Sequence, residues 1–182
     1  MVRRLIYKVV SGGASSSHWS NLVGRAREKH NLAIQGLQKY LDDPAGWRAT
    51  DGAIFVYDSS LGSRERVCYL FAAEARKRTL TTVSYTPQKF AERFGGDGGE
   101  EMIARLAEAE SVQVFILREV QDLAQNEEAL TRLYEILNRR RQDGLLTLIT
   151  GDKTSPDYKQ LPARITTRLF WGGYSDSLLG LM

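Results

Sequence analysis

Residues 53–71 carry the strongest chemical suggestion in the chain: the apolar run Ala53-Ile-Phe-Val-Tyr57 breaks into Asp58-Ser-Ser-Leu-Gly-Ser-Arg64 and reopens as an amphipathic segment. That order reads as a strand, a tight loop and a helix. Such a junction suits a phosphate, because loop and helix N–H groups face the anion, a lysine reaches the terminal phosphates and a Ser/Thr hydroxyl holds Mg²⁺. Here Gly62 stands as the last glycine of such a loop, while Ser63 and Arg64 replace the Lys and the Ser/Thr. Gly62, Ser63 and Arg64 are therefore expected to mark a degenerate nucleotide loop.

The elements that would position this loop follow from composition and periodicity. A chain of 182 residues, 42% hydrophobic and 26% charged, suits one globular domain with a sizeable core. No apolar run approaches the roughly 18 residues of a membrane span. The start, Met1-Val-Arg-Arg-Leu-Ile-Tyr-Lys-Val-Val10, is interrupted by Lys8, so no secretory signal is expected. A lone Cys68 excludes an internal disulfide, and with two histidines it leaves little from which to build a zinc site, so no metal site is expected. The expected compartment is the cytoplasm, with nucleoid association as an alternative. A formal charge of +3 permits nucleic-acid contact without demanding it.

Residues 1–20 read as a flexible arm, pinned to the body by Trp19, and residues 21–182 as a single domain. One helix is expected from Ala26 to Leu41, stopped by Asp42-Asp43-Pro44. After the central loop, Val67, Leu70, Phe71 and Ala75 define a helix face, and Leu80 to Ser84 a strand. Thr86-Pro87 reads as an N-cap with proline at the first helical position, leading into a helix to Phe94. Beyond Gly95-Gly-Asp-Gly-Gly99 come a helix over Glu100 to Glu110 and a strand over Val112 to Leu117. A long helix through Leu130, Leu133, Tyr134 and Leu137 follows, then a strand over Leu145 to Thr150 and a fifth over Arg168 to Trp171. The alternation predicts a five-stranded parallel α/β sheet sandwiched by helices.

Six short stretches now suggest a family. Leu22-Val-Gly24, Ile54-Phe-Val-Tyr57, Thr86 to Phe94, Val114 to Gln121, Leu148-Ile-Thr-Gly-Asp152 and Ala163-Arg-Ile-Thr-Thr-Arg-Leu-Phe-Trp-Gly172 stand in the order and spacing of one module. They resemble the AAA+ module of the bacterial replication initiator DnaA, in the P-loop NTPase superfamily. The resemblance covers residues 20–173. It implies a P-loop fold, and departures from the pattern imply the function. Arg118 and Glu119 stand where the family has two aspartates, the first of which orients the metal's water shell. Exchanging −1 for +1 there replaces attraction by repulsion of roughly 4 kcal/mol per unit charge at contact distance. Asp152 is the nearest match to the family's first sensor, and is equally a turn residue. Arg168 matches the arginine that the family extends across a subunit boundary to a neighbour's ATP. The family's helical lid and its helix-turn-helix domain are expected to be absent.

The resemblance thus implies a catalytically inactive DnaA-like AAA+ protein, a regulator or scaffold of replication initiation that docks on a DnaA-type or other AAA+ partner. No cofactor is expected. One alternative is a nucleotide-binding ATPase with a non-standard loop, which would bind ATP. The other is a single-stranded DNA binder acting through Thr86 to Glu110, although that segment carries three basic residues against six acidic ones.

Overall fold

Four short apolar runs build the centre of the molecule: β1 (Ala53–Tyr57), β2 (Thr82–Tyr85), β3 (Val114–Leu117) and β4 (Leu146–Gly151). The computed structural model describes residues 16–28, 32–47, 53–57, 61–96 and 99–169. All pairings are parallel, in the order β1-β4-β3-β2, with Ile54 opposite Leu148 and Phe115 opposite Thr147. Parallel strands joined by crossover helices are covered on both faces, and β1, β3 and β4 are accordingly buried almost throughout.

Successive side chains serve opposite cores. Ile54, Val56, Val114, Ile116, Leu146 and Leu148 meet α1 (Ser16–Glu28), α2 (Leu32–Asp42) and α3 (Leu61–Lys77). Phe55, Phe115, Leu117 and Ile149 meet α4 (Pro87–Phe94), α5 (Glu100–Ser111), α6 (Glu127–Gln142) and α7 (Ala163–Leu169). Ile54, Phe55, Val56, Val114, Ile116, Leu146, Leu148 and Ile149 are all buried, as the sequence predicts. Thr86 caps α4 by accepting from Lys89 N, with Pro87 at the first position, also as expected.

Three expectations are corrected. The described sheet has four strands, not five. Arg168, expected in the fifth, lies instead in α7, which starts just after Pro162: the N–H groups of Ile165 and Thr166 donate to Pro162 O, and the Thr167 hydroxyl donates to Ala163 O at 2.8 Å. Its β-branched residues thus tie back into a helical turn. Trp171 and Gly172 lie outside the described residues. The N-terminal arm is not an arm over residues 16–20, which begin α1; Trp19 is buried there, its indole donating to Gln38 Oε1 at 2.6 Å and its ring 5.6 Å from Phe71. Residues 1–15 lie outside the described set. The single helix expected from Ala26 to Leu41 is two, α1 and α2, packed on each other.

A guanidinium clamps the N-terminal edge of the sheet. Arg140, fully buried on α6, donates to Thr147 Oγ1 (2.9 Å), Ala109 O (2.9 Å), Val112 O (2.6 Å), Leu146 O (2.5 Å) and Gln113 O (3.4 Å), and its Cζ lies 5.5 Å from the Phe115 ring centroid. Burial lowers its pKa to about 10, partly opposed by Tyr40 and Asp143.

Candidate functional site at the C-terminal edge of the sheet

Strands β1, β3 and β4 end side by side, and α3 begins at the same edge, where open α/β sheets place their ligands. Asp58, Ser59 and Ser60 of the expected loop lie outside the described residues. Leu61, Gly62 and Ser63, expected as loop, already belong to α3; Gly62 is exposed and Ser63 half-buried.

Arg64 in the first turn of α3 is 3% exposed and Glu119, two residues past β3, is 8% exposed. They meet fork to fork: Arg64 Nε donates to Glu119 Oε1 at 2.7 Å and Nη2 to Oε2 at 2.6 Å. This bidentate geometry is the strongest form of a carboxylate–guanidinium pair. Glu119 adopts left-handed backbone angles, φ 49° and ψ 56°, which cost a non-glycine residue strain that surrounding contacts must offset. Those contacts are present. Glu119 N donates to Thr150 Oγ1 at 3.1 Å, the Thr150 hydroxyl donates to Glu119 Oε1 at 3.2 Å, and Gln121 Nε2 donates to Oε2 at 3.0 Å. Gln121 also accepts from Asp152 N at 3.1 Å. Its amide approaches β4 closely because Gly151 has no side chain: a Cβ there would lie 2.9 Å from Gln121 Oε1 and 3.2 Å from Phe55 Cε2.

Burial pushes the Glu119 pKa upward, but hydrogen bonds from Arg64 and Gln121, the Arg64 charge and the Thr150 hydroxyl outweigh it and hold the carboxyl below its usual range. Beneath the pair, burial and then the Glu65 charge push the Cys68 thiol up to about 12, against a hydrogen bond with Thr150. Arg118, beside Glu119, turns to α3 instead and meets Glu65 Oε2 at 2.8 Å. Two ion pairs therefore tie the start of α3 to the end of β3, where the sequence offers only isolated charges.

Asp152 is not part of this network except through its backbone. Its carboxylate caps the following turn, accepting from Thr154 N at 2.8 Å and Thr154 Oγ1 at 2.6 Å, bonds that draw its pKa down. Arg168 also lies elsewhere, on α7 against α6, with Cζ 5.6 Å from the Tyr134 ring centroid. The Tyr134 phenol is lowered by hydrogen bonds from Asn138 and Arg168. Sequence reasoning missed Thr150, Gln121 and Gly151 as members of the site; their signal was adjacency to Glu119 and Asp152. An open cleft of about 370 Å³ lies at the start of α4, and Asp122 is its one charged lining residue. Among the described residues no cluster of His, Cys, Asp and Glu could hold a metal ion, and no helix is long and apolar enough to cross a membrane.

This architecture, a parallel sheet flanked by helices, is a fold shared with solved DnaA structures. It resembles the DnaA-like AAA+ module. The replication initiator DnaA bound to AMPPCP and single-stranded DNA is similar with a TM-score of 0.64 at 18% identity, over 78% of this chain and 44% of that one. Domain III of the Thermotoga maritima replication initiation protein DnaA gives 0.59 at 15% identity, over 82% and 60%. DnaI gives 0.57 at 19% identity, over 76% and 78%. The chain thus spans less than half the length of the first of these, and at such identities the fold is what is shared. No protein-family model and no curated protein matches the chain.

Proposed function

We propose that this chain is a non-hydrolysing, DnaA-like AAA+ protein that works in the cytoplasm by docking on an AAA+ ATPase during replication initiation. The observation that carries this is the buried Arg64–Glu119 pair. A magnesium triphosphate seated on the first turn of α3 would need a long cation at position 63, a metal-holding hydroxyl at position 64 and a carboxylate free for the metal's waters. Ser63 is too short for the first role, Arg64 is spent on Glu119, and Glu119 is closed in by three neighbours. Releasing that carboxylate means separating a desolvated ion pair, which costs several kcal/mol before any phosphate contact is made. The residues present do not fit the ligand.

What supports the partner is the likeness of fold to replication proteins, together with Arg168. That residue stands at the position from which the family reaches a neighbour's nucleotide, and its half-buried guanidinium rests on Tyr134 beside Arg141 and Arg164. The α4 cleft is lined by one acidic residue, Asp122, and no basic one, so protein docking is preferred to DNA binding there. The test is thermal unfolding of the purified chain with ATP and Mg²⁺, beside capture of partners from the native cell with and without nucleotide. Unchanged melting and capture of an AAA+ ATPase are expected. A nucleotide-dependent rise in melting temperature, the signature of a ligand that binds only the folded state, would overturn it.

A further inference from the structure

The helix that opens the candidate site turns its outer side to solvent. Along α3, Arg66, Tyr69, Ala73 and Arg76 recur at spacings of three and four and so line up on one face. Arg66 and Arg76 are exposed and Tyr69 is 65% exposed. Among the described residues neither arginine has a carboxylate partner, and the tyrosine ring meets no other ring and no cation. The nearby acids are engaged elsewhere: Glu65 holds Arg118 at 2.8 Å, and Glu74 holds Lys77 at 3.4 Å and Arg78 at 3.5 Å. At a rise of about 1.5 Å per residue the arginines stand about 15 Å apart along the helix, with Tyr69 one turn from Arg66 and two from Arg76.

We infer that the chain holds its protein partner by this face, and that the partner supplies an extended acidic segment, with two carboxylates on Arg66 and Arg76 and an apolar side chain between them on Tyr69. The inference rests on the docking reading above and adds to it a surface and the chemistry of its counterpart. Charge complementarity carries it: two guanidiniums that no carboxylate of the described chain satisfies fit carboxylates from outside, which they take in bidentate geometry. Tyrosine and arginine are also the side chains that contribute most at protein interfaces, the ring because it covers apolar area with little rotamer freedom to lose. The spacing selects an extended segment. About five residues of strand cover 15 Å, and its alternate side chains point one way, so Glu-x-Leu-x-Glu sets both carboxylates and the apolar group along a single edge. A partner helix needs about ten residues for that span, and the carboxylates around its wider surface would approach Glu65 and Glu74. The α4 cleft, with Asp122 as its charged lining residue, offers such a segment nothing.

The experiment titrates the full chain, isotope-labelled for two-dimensional NMR, with the peptide Ser-Glu-Ser-Leu-Ser-Glu-Ser at low salt. Shifts confined to the outer face of α3 and fading as salt rises are expected. Arg66→Glu with Arg76→Glu should weaken this peptide at least about tenfold and create binding of the version with lysine for glutamate, because the same geometry then sets opposite charges together. Tyr69→Ala should weaken binding severalfold and remove the difference between peptides with leucine and with serine at the centre, while Tyr69→Phe should bind like the parent. All three side chains face solvent, and an unchanged melting temperature will show that the variants keep their fold. Absence of shifts on α3 would overturn the inference, as would equal binding of the acidic and basic peptides by the parent, or tighter binding there of a thymidine trinucleotide, which carries the same two charges. Capture from the native cell separates this surface from the docking reading. An AAA+ ATPase retained by the parent and lost by the double charge reversal is expected; one retained equally by both would overturn the surface and leave the docking reading standing. Peptide shifts on α3 with no ATPase captured would overturn the docking reading and leave the preference of this face for acidic segments.

Discussion

Removing one half of the buried pair at the sheet edge should be far worse than removing both. In Arg64→Leu the Glu119 carboxylate loses the two charge-assisted bonds at 2.7 and 2.6 Å and keeps only the Gln121 amide and the Thr150 hydroxyl, while it remains buried. Breaking a buried pair from one side typically costs about 3–5 kcal/mol, which for a chain of this size lowers the melting temperature by about 6–20 °C. Arg64→Leu combined with Glu119→Leu takes away the stranded charge and should regain most of that loss, so the double-mutant cycle will show a strong favourable coupling. The parent and Arg64→Leu also differ in pH dependence. In the parent, Glu119 titrates below its ordinary value, so its contribution is present at neutral pH and lost as pH falls through that depressed pKa. In Arg64→Leu burial dominates and the folded pKa rises above the unfolded one. The penalty is then largest at neutral pH and shrinks as acid protonates the carboxyl. Urea denaturation of the four proteins at neutral and mildly acidic pH measures both effects. A loss below about 1 kcal/mol for Arg64→Leu, or additive single losses, would show that the pair is solvated and does not close the site.

Restoring Ser63→Lys with Arg64→Thr should yield no ATPase above a heat-denatured control, because the position expected to orient a metal's water shell holds Arg118, paired with Glu65, and no carboxylate; measurable phosphate release would refute this. Arg168→Ala should leave the circular dichroism and melting of the chain intact and alter ATP hydrolysis or assembly of a captured AAA+ partner; identical partner kinetics would reduce Arg168 to a contact with Tyr134. Arg140→Met strips hydrogen bonds from four backbone carbonyls and the Thr147 hydroxyl and should cost about 3–5 kcal/mol in urea unfolding. Cys68, buried with its thiol pushed up to about 12, should resist alkylation in the folded chain, reacting about a hundredfold or more faster in denaturant; equal rates would contradict its burial.

Periodicity exposed what was local in this chain. The strand cores around Ile54, Ile116 and Leu148, and the Thr86-Pro87 helix start, depend on neighbours in sequence, and they were legible there. The first helix was not, because the serine-rich sequence leading into Trp19 has the composition of a linker, while the helix that starts at Ser16 is anchored by Trp19 burying itself against Phe71. Residues Ile165-Thr-Thr167 have strand propensity, and hydroxyl bonds back to the preceding turn accommodate them in α7. At the site, Arg64 and Glu119 were each visible as substitutions, but their union across 55 positions was not. Charges so far apart in sequence declare a partner only when the fold sets α3 against the end of β3. Asp152 shows the converse: its side chain serves Thr154, two residues on, while the neighbouring Thr150 takes the inward place.

The clamp made by Arg140 has a consequence for the order in which the chain assembles. Its acceptors come from the end of α5, the entrance to β3 and the first residues of β4, while the guanidinium itself rides on α6. Until all of these meet, water is the better solvent for the charge, so dehydrating it early would raise the barrier without reward. Its contacts therefore consolidate late, on the native side of the transition state. An interaction absent from the transition state acts on the rate of opening alone. Arg140 should thus govern how long the folded sheet survives, while leaving the speed of its formation to the apolar strands: in a chevron plot of Arg140→Met the unfolding limb rises and the folding limb stays in place.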